Sequence, residues 1–151
     1  MVDERLSPHF TLAELTASTL ADRRGIVNAP GPDAVANLRR LAATLEQVRE
    51  VLGHPVVVTS GYRSPELNKA IGGSSDSAHM FGRAADFKCP GFGTPLDVCR
   101  EIVAAGIRFD QLIHEGAWVH LGIPTEKGPW RREILSARFH GGKTTYLWGL
   151  S

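Results

Sequence analysis

The segment SAHMFGRAADF, residues 77–87, sets His79 seven positions before Asp86, and half of the six residues between them are glycine or alanine. An imidazole and a carboxylate at that separation are either an ordinary polar surface pair or two ligands of one metal ion. His120, in WVHLG, favours the second reading. On a strand its neighbours Val119 and Leu121 turn to one face, while Trp118 and His120 share the other. Two imidazoles and one carboxylate form a donor set suited to catalytic zinc, which keeps a fourth position open for water. Calcium prefers oxygen donors, so two imidazoles argue against it. A closed structural zinc site would recruit thiolates, and neither Cys89 nor Cys99 stands at a ligand-like spacing from the three candidates.

The elements that must position these side chains are readable in outline. Thr11 and Glu14 in TLAE form a capping-box pattern for a short helix through about residue 17. After the breaker cluster NAPGPD, Val35, Leu38, Leu41, Ala42, Leu45, Val48 and Leu52 recur at helical steps until Gly53. PVVVTS reads as a buried strand, and Ser64-Pro65 as the cap and first residue of a short helix ending at Gly72-Gly73. AADFKC reads as a strand. Thr94, Pro95 and Asp97 open a further helix with Leu96, Cys99, Ile102 and Val103 inward and Gly106 as its stop. FDQLIHE and AWVHLGI are short strands around a tight turn at Gly116, and the tail adds a hairpin around Gly141-Gly142. Helices gather early and strands late, which predicts an α+β fold, a small antiparallel sheet backed by helices.

The 151 residues suit a single domain over 1–151 with a full core. A net charge of +1 without a basic stripe excludes a nucleic-acid footprint. Apolar runs such as PVVV are far too short to cross a bilayer. The opening MVDERLSPHF is charged and lacks the apolar stretch of a secretory signal, so the expectation is a cytoplasmic monomer, or one that leaves by a route this chain does not encode. Cys99 falls on a helical apolar stripe and reads as core filler, with a bridge to Cys89 left open.

In order and spacing, SGYRSPELNKAIGG, SAHMFGRAADF and DQLIHEGAWVHLG resemble the zinc D-Ala-D-Ala carboxypeptidase-like peptidases, a family of cell-wall carboxypeptidases and phage endolysins. The family pattern Ser-x-His, six residues, Asp, then Trp-x-His falls on Ser77, His79, Asp86, Trp118 and His120. The opening HFTLAEL and the long helix resemble phage and prophage members, so the similarity spans about residues 9 to 123; the rest carries no assignable motif. The resemblance implies a hedgehog/DD-peptidase-like fold with the metal at the sheet face, one zinc ion on His79, Asp86 and His120, and a peptidoglycan stem peptide or cross-bridge as substrate.

Many members carry an acidic residue three positions before the last histidine, where this chain has Ala117. Glu115 is the nearest carboxylate in sequence and the expected general base, later returning the proton to the leaving amine, the alternative being a solvent-facing strand-end glutamate; His114 is the runner-up for the base, ranked lower because on a regular strand it points away from the Glu115 face. Arg63 resembles the family arginine that holds a substrate carboxylate or carbonyl, and the alternative is a structural ion pair near a helix start. Ser77 is expected either to bond a substrate group or to serve its turn, and Trp118 to wall the groove. Tyr62 reads as packing, Asp76 as a solvated turn residue and Asp110 as a cap or ion-pair partner. Gly82 and Ala84 are expected to let the backbone pass close to the metal. The function that follows is a zinc-dependent peptidoglycan peptidase, a D-Ala-D-Ala carboxypeptidase or a cross-bridge endopeptidase, acting as a phage or prophage endolysin. The alternative is a catalytically silent, zinc-stabilised wall-binding or virion module.

Overall fold

Local signals at the N-terminus act as their chemistry dictates. A computed structural model describes residues 3–151 and opens with a small hairpin, β1 (Arg5–Ser7) and β2 (Phe10–Thr11), leading into α1 (Leu12–Thr16). The capping box forms reciprocally: Glu14 N–H donates to Thr11 Oγ1, and Thr11 N–H donates to Glu14 Oε1. α2 (Thr19–Arg24) has no counterpart in the sequence reading, because only Ala21 is buried and one apolar position makes no period. α3 (Pro32–Leu52) starts on Pro32 and stops at Gly53 in the left-handed conformation, burying Leu38, Leu41, Ala42, Leu45, Val48 and Leu52. Val35, expected inward, is only half-buried in its first turns.

Six strands form the main sheet in the order β3 (Val57–Ser60), β4 (Ala84–Lys88), β6 (Val119–Gly122), β5 (Gln111–His114), β7 (Glu133–His140) and β8 (Lys143–Trp148). The expected antiparallel sheet holds except at one pairing, since β5 and β7 run parallel. The reason lies in where β6 ends. Gly122 pairs with Gln111 at the start of β5, and the loop after it stays at that end, so β7 enters beside β5 in the same direction. Asp110 clamps the loop by accepting from Arg131 Nε and Nη2, both at 2.8 Å. PVVVTS forms the other sheet edge rather than a buried strand: Val56 is buried, but Val57 and Thr59 are exposed and Val58 and Ser60 half-buried. Having β4 on one side only, this strand leaves its other flank open.

α4 (Pro65–Ala70) and a 3-10 turn (Ala78–Phe81) lie between β3 and β4, and α5 (Pro95–Ala104) follows β4. One buried cluster joins α3 and α5 to Ala85, Phe87, Leu112, Val119 and Leu121 on one face of the sheet. Cys89 and Cys99 are both buried and unbridged. Among the described residues, no helix is long and apolar enough to cross a membrane. The helical layer covers one sheet face and leaves the other for chemistry. Leu41, fully buried on α3, tests this layer: Leu41→Ala is expected to lower unfolding free energy by about 2–5 kcal/mol, read from the midpoint of a urea transition. An unchanged midpoint would contradict the packing described.

Candidate metal centre

Strand register alone brings two of the three candidate ligands together. Asp86 on β4 pairs directly with His120 on β6, Ser60 pairs with Asp86 from the edge, and Ile113 of β5 pairs with His120. These four side chains form one row on the face away from the helices, because alternation sends Ala85, Phe87, Val119 and Leu121 into the core. His120 turns Nδ1 to Asp86 Oδ1 at 3.0 Å.

His79 arrives from the 3-10 turn. Ser77 caps that turn by accepting from His79 N–H, and Gly82 closes it at φ 72°. The His79 ring is buried, with Nδ1 2.7 Å from the Gly61 carbonyl and Nε2 3.3 Å from Asp86 Oδ1. A carbonyl can only accept, so Nδ1 carries the proton and Nε2 presents its lone pair to the carboxylate. Burial lowers the pKa of His79, outweighing the hydrogen bond and attraction from Asp86, and so favours this neutral form. Two lone pairs facing each other at that distance call for a cation between them. The spacings agree, since 3.0 and 3.3 Å match the edge of a tetrahedron, about 3.3 Å for bonds of about 2.0 Å. His79, Asp86 and His120 offer ligand atoms that all lie within 4.8 Å of one another.

Arg63 completes the carboxylate's surroundings. Its Nη2 donates to Asp86 Oδ2 at 3.3 Å, Nη1 to Asn68 Oδ1 at 3.4 Å and Nε to Ser60 Oγ at 3.2 Å. The guanidinium thus fixes the outer carboxylate oxygen while still lining the groove. Burial by itself would raise the pKa of Asp86, but the hydrogen bond from His120 leads the contributions that outweigh this and hold it well below the usual carboxylate range.

Around this centre runs a groove of about 740 Å³, lined by Arg63, Ser77, Glu115 and Trp118 as well as the three candidate ligands. Glu115 follows β5 on the same face as Ile113, and its N–H donates to the Trp118 carbonyl at 3.0 Å. It is therefore diagonal to His120 across the hairpin, about 7–8 Å away at the backbone and within reach of a long side chain. Burial raises the Glu115 pKa, the charge of Asp86 adds to this, and His120 and Arg63 oppose it. His114 leaves the groove as alternation requires, its Nδ1 lying 3.1 Å from the Ser151 carbonyl. Ala117 is exposed on the turn. Tyr62 is buried packing, and Asp110 is an ion-pair partner of Arg131.

One sequence expectation is corrected. Gly82 does not clear space for a metal; a Cβ there would meet the Ala34 carbonyl at 2.5 Å, so its close approach is to α3. Gly61 makes the equivalent approach to α1, where a Cβ would stand 2.2 Å from the Leu15 carbonyl. The sequence reading passed over Asn68, Ser60 and Gly61, and it placed the tail hairpin without its contribution of Leu135, Phe139, Thr144 and Tyr146 to the groove. Alternation in EILSARFH and KTTYLW signals the hairpin, but nothing in those segments signals which face meets the groove.

Two outcomes follow. Gly61→Ala is expected to displace the carbonyl that orients His79 and to weaken divalent-metal affinity by ~10–100-fold, measured by competition with a chromophoric chelator; unaltered affinity would show that the Gly61 contact is dispensable. The metal-free protein should also lose stability on acidification. Both His79 and Asp86 have folded pKa values below their ordinary 6.5 and 3.8, so the unfolded chain binds protons that the folded chain does not. Stability is therefore full above about pH 6.5 and declines as pH falls through that value and again below about 4. Thermal melts across this range should show both steps, the lower one reduced in Asp86→Asn.

The sequence profile of the peptidase M15 family matches residues 8–122. The zinc D-Ala-D-Ala carboxypeptidase of Streptomyces albus G is 37% identical over 86 residues, which are 56% of this chain. The matched stretch spans only 33% of that relative's length. Residues 77–122, which hold the three candidate ligands, thus lie within a family match that covers most of the sequence. The chain belongs to the peptidase M15 family.

Proposed function

We propose that this protein is a zinc-dependent peptidase that hydrolyses a peptide bond of bacterial peptidoglycan, with His79, Asp86 and His120 as the zinc ligands. The observation that carries the reading is the convergence of two imidazole nitrogens on one carboxylate oxygen, at 3.0 and 3.3 Å, beside a groove that also holds Glu115. The name of the Streptomyces relative supports zinc as the ion and D-Ala-D-Ala as the linkage class. The bond cut is the terminal D-Ala-D-Ala linkage or an internal cross-bridge bond. The biological setting we assign is a phage or prophage endolysin acting on the wall after release, which the phage-like HFTLAEL opening supports.

When bound, zinc supplies a Lewis acid that polarises a carbonyl and lowers the pKa of a coordinated water to about 7. The remaining work falls to side chains. Glu115 takes the proton of the attacking water on its carboxylate and returns it to the leaving amine. Its raised pKa brings it closer to neutrality than an ordinary glutamate, which suits a group that must both accept and release a proton. Gly61 holds His79 in the tautomer that presents Nε2, and Arg63 holds Asp86 so that Oδ1 faces inward. The Arg63 N–H groups not bonded to Ser60, Asn68 and Asp86 are available to a substrate carbonyl or carboxylate. Trp118 forms a groove wall and Ser77 secures the turn that carries His79.

Ala117, in place of the acidic residue many members carry, favours a second reading, a silent wall-binding module. Glu115→Gln separates the two. The variant should retain zinc and fall ~10²–10⁴-fold in kcat on purified peptidoglycan, with fragments identified by mass spectrometry. Wild-type activity that survives exhaustive chelation would exclude the zinc mechanism, and wall binding by zinc-loaded wild type without any turnover would establish the silent module.

A further inference from the structure

The sheet row that begins at the metal centre does not stop at β5. Ile113 pairs with Leu135 on β7, and Leu135 pairs with Trp148 on β8, so the face carrying Asp86 and His120 continues across the terminal hairpin. By alternation that face also presents Phe139 on β7 and Tyr146 on β8, and both line the same groove as Glu115. The hairpin leaves large rings in water here: Phe139 is 55% and Tyr146 50% exposed. The exposed half of each ring adds nothing to the fold, and an apolar surface at the rim of a groove marks a place where something else docks. The hairpin, residues 133–148, also lies wholly beyond the family match, which ends at residue 122.

From this we infer that the β7–β8 hairpin is a specificity-determining subsite that grips the aliphatic and methylene surface of an extended stretch of the substrate peptide remote from the bond that is cut. The inference rests on the peptidase reading above and adds which substrates that site prefers. Geometry sets the length required. β7 and β8 stand two and three strand spacings from β6, about 10 and 14 Å at about 4.8 Å each. An extended peptide advances about 3.4 Å per residue, so a chain crossing the strands from His120 reaches Leu135 after about three residues and Tyr146 after about four. A dipeptide ends before the hairpin. The chemistry of this wall is aliphatic and aromatic, formed by Ile113, Leu135, Phe139 and Tyr146, and it suits small aliphatic side chains or methylene stems. The other end of the groove is polar, with Asp110, Arg131, Arg83 and Gln111. The Tyr146 phenol is pushed up by burial, with further contributions from the Glu115 and Asp86 charges, so it stays protonated and keeps its hydrogen for a substrate carbonyl.

The test compares zinc-loaded wild type with Tyr146→Ala and Phe139→Ala on an acylated D-Ala-D-Ala dipeptide and on a synthetic stem pentapeptide ending in D-Ala-D-Ala, with Kd for the pentapeptide measured by calorimetry on Glu115→Gln versions of all three proteins. Both rings sit on an exposed edge hairpin, and circular dichroism with zinc content checks that each variant is folded and loaded. The expected result is that KM and Kd for the pentapeptide rise about tenfold in each variant, while kcat on the pentapeptide and all constants for the dipeptide stay as in wild type. Tyr146→Phe should recover most of the affinity lost in Tyr146→Ala. Equal pentapeptide constants in wild type and variants would overturn the inference, as would equal losses on both substrates, which would indicate general damage to the site. Failure of the wild type to cleave either peptide or any bond of purified cross-linked peptidoglycan, with Kd still weakened in the variants, would overturn the peptidase reading and leave the subsite standing.

Discussion

The centre depends on keeping one carboxylate ionised inside the protein. Asp86 is buried on the second strand of the sheet, and an isolated anion there would cost several kcal/mol. It is tolerated because every direction is answered: Oδ1 faces two imidazole nitrogens, Oδ2 accepts from Arg63, and the Asp86 main-chain carbonyl accepts from Thr59 Oγ1. The partners come from three separate stretches of the chain, around residues 59–63, 79 and 120, so no local segment could build the site. A divalent ion fits this economy, since it supplies the positive charge that two neutral imidazoles lack and separates the lone pairs of His79 and Asp86. Arg63 then balances the oxygen that points away from the ion. Losing any partner would leave a buried charge unanswered, which makes the polar cluster more demanding than the apolar core beneath it.

The two faces of the sheet divide the labour. One is dry, packed by α3 and α5 on Phe87, Leu112, Val119 and Leu121. The other is polar and carries the groove. The segments bringing ligands to the polar face are themselves held by helices. Gly82 lies against the Ala34 carbonyl and Asn37 Nδ2 donates to the Phe81 carbonyl at 2.9 Å, which ties the His79 turn to α3. Gly61 packs on α1, where Tyr62 N–H donates to the Leu15 carbonyl at 2.8 Å. Apolar burial along α3 therefore positions a histidine with which α3 makes no metal contact, and the precision of the site derives from the stiffness of its scaffold.

Most of this was legible in the sequence where the signal is local. The Thr11–Glu14 and Thr94–Asp97 boxes and the Gly116 turn are each decided within a few residues and form as read, and the α3 stripe does so from Leu38 onward. The convergence of the three candidate ligands was legible because donor chemistry restricts which residues can serve and because Trp118 and His120 share strand parity. What escaped depends on pairing between distant segments. No pattern in PVVVTS says that it lies at an edge, nor that β7 enters beside β5 in parallel, since both follow from which strand ends are neighbours. Asn68 escaped for the same reason: an asparagine inside a short helix is unremarkable until Arg63 Nη1 donates to its Oδ1 and it donates in turn to the Ser74 carbonyl at 2.8 Å.

The position of the proposed base shows how far an offset along the chain can mislead. Counting back from the last histidine reaches Ala117, which suggests a missing carboxylate. The β5–β6 turn changes the count that matters. Because Glu115 N–H pairs with the Trp118 carbonyl, the ladder extends one step beyond the His114–Val119 pair, and Glu115 stands on the groove face opposite Trp118. Residue 117 lies within the turn itself and is exposed. A carboxylate can approach the centre from either arm of this hairpin, and in this chain the arm is β5, the strand that also pairs with β7. The proposed base and the terminal hairpin thereby border one strand: Glu115 directly follows β5, and β7 pairs along it.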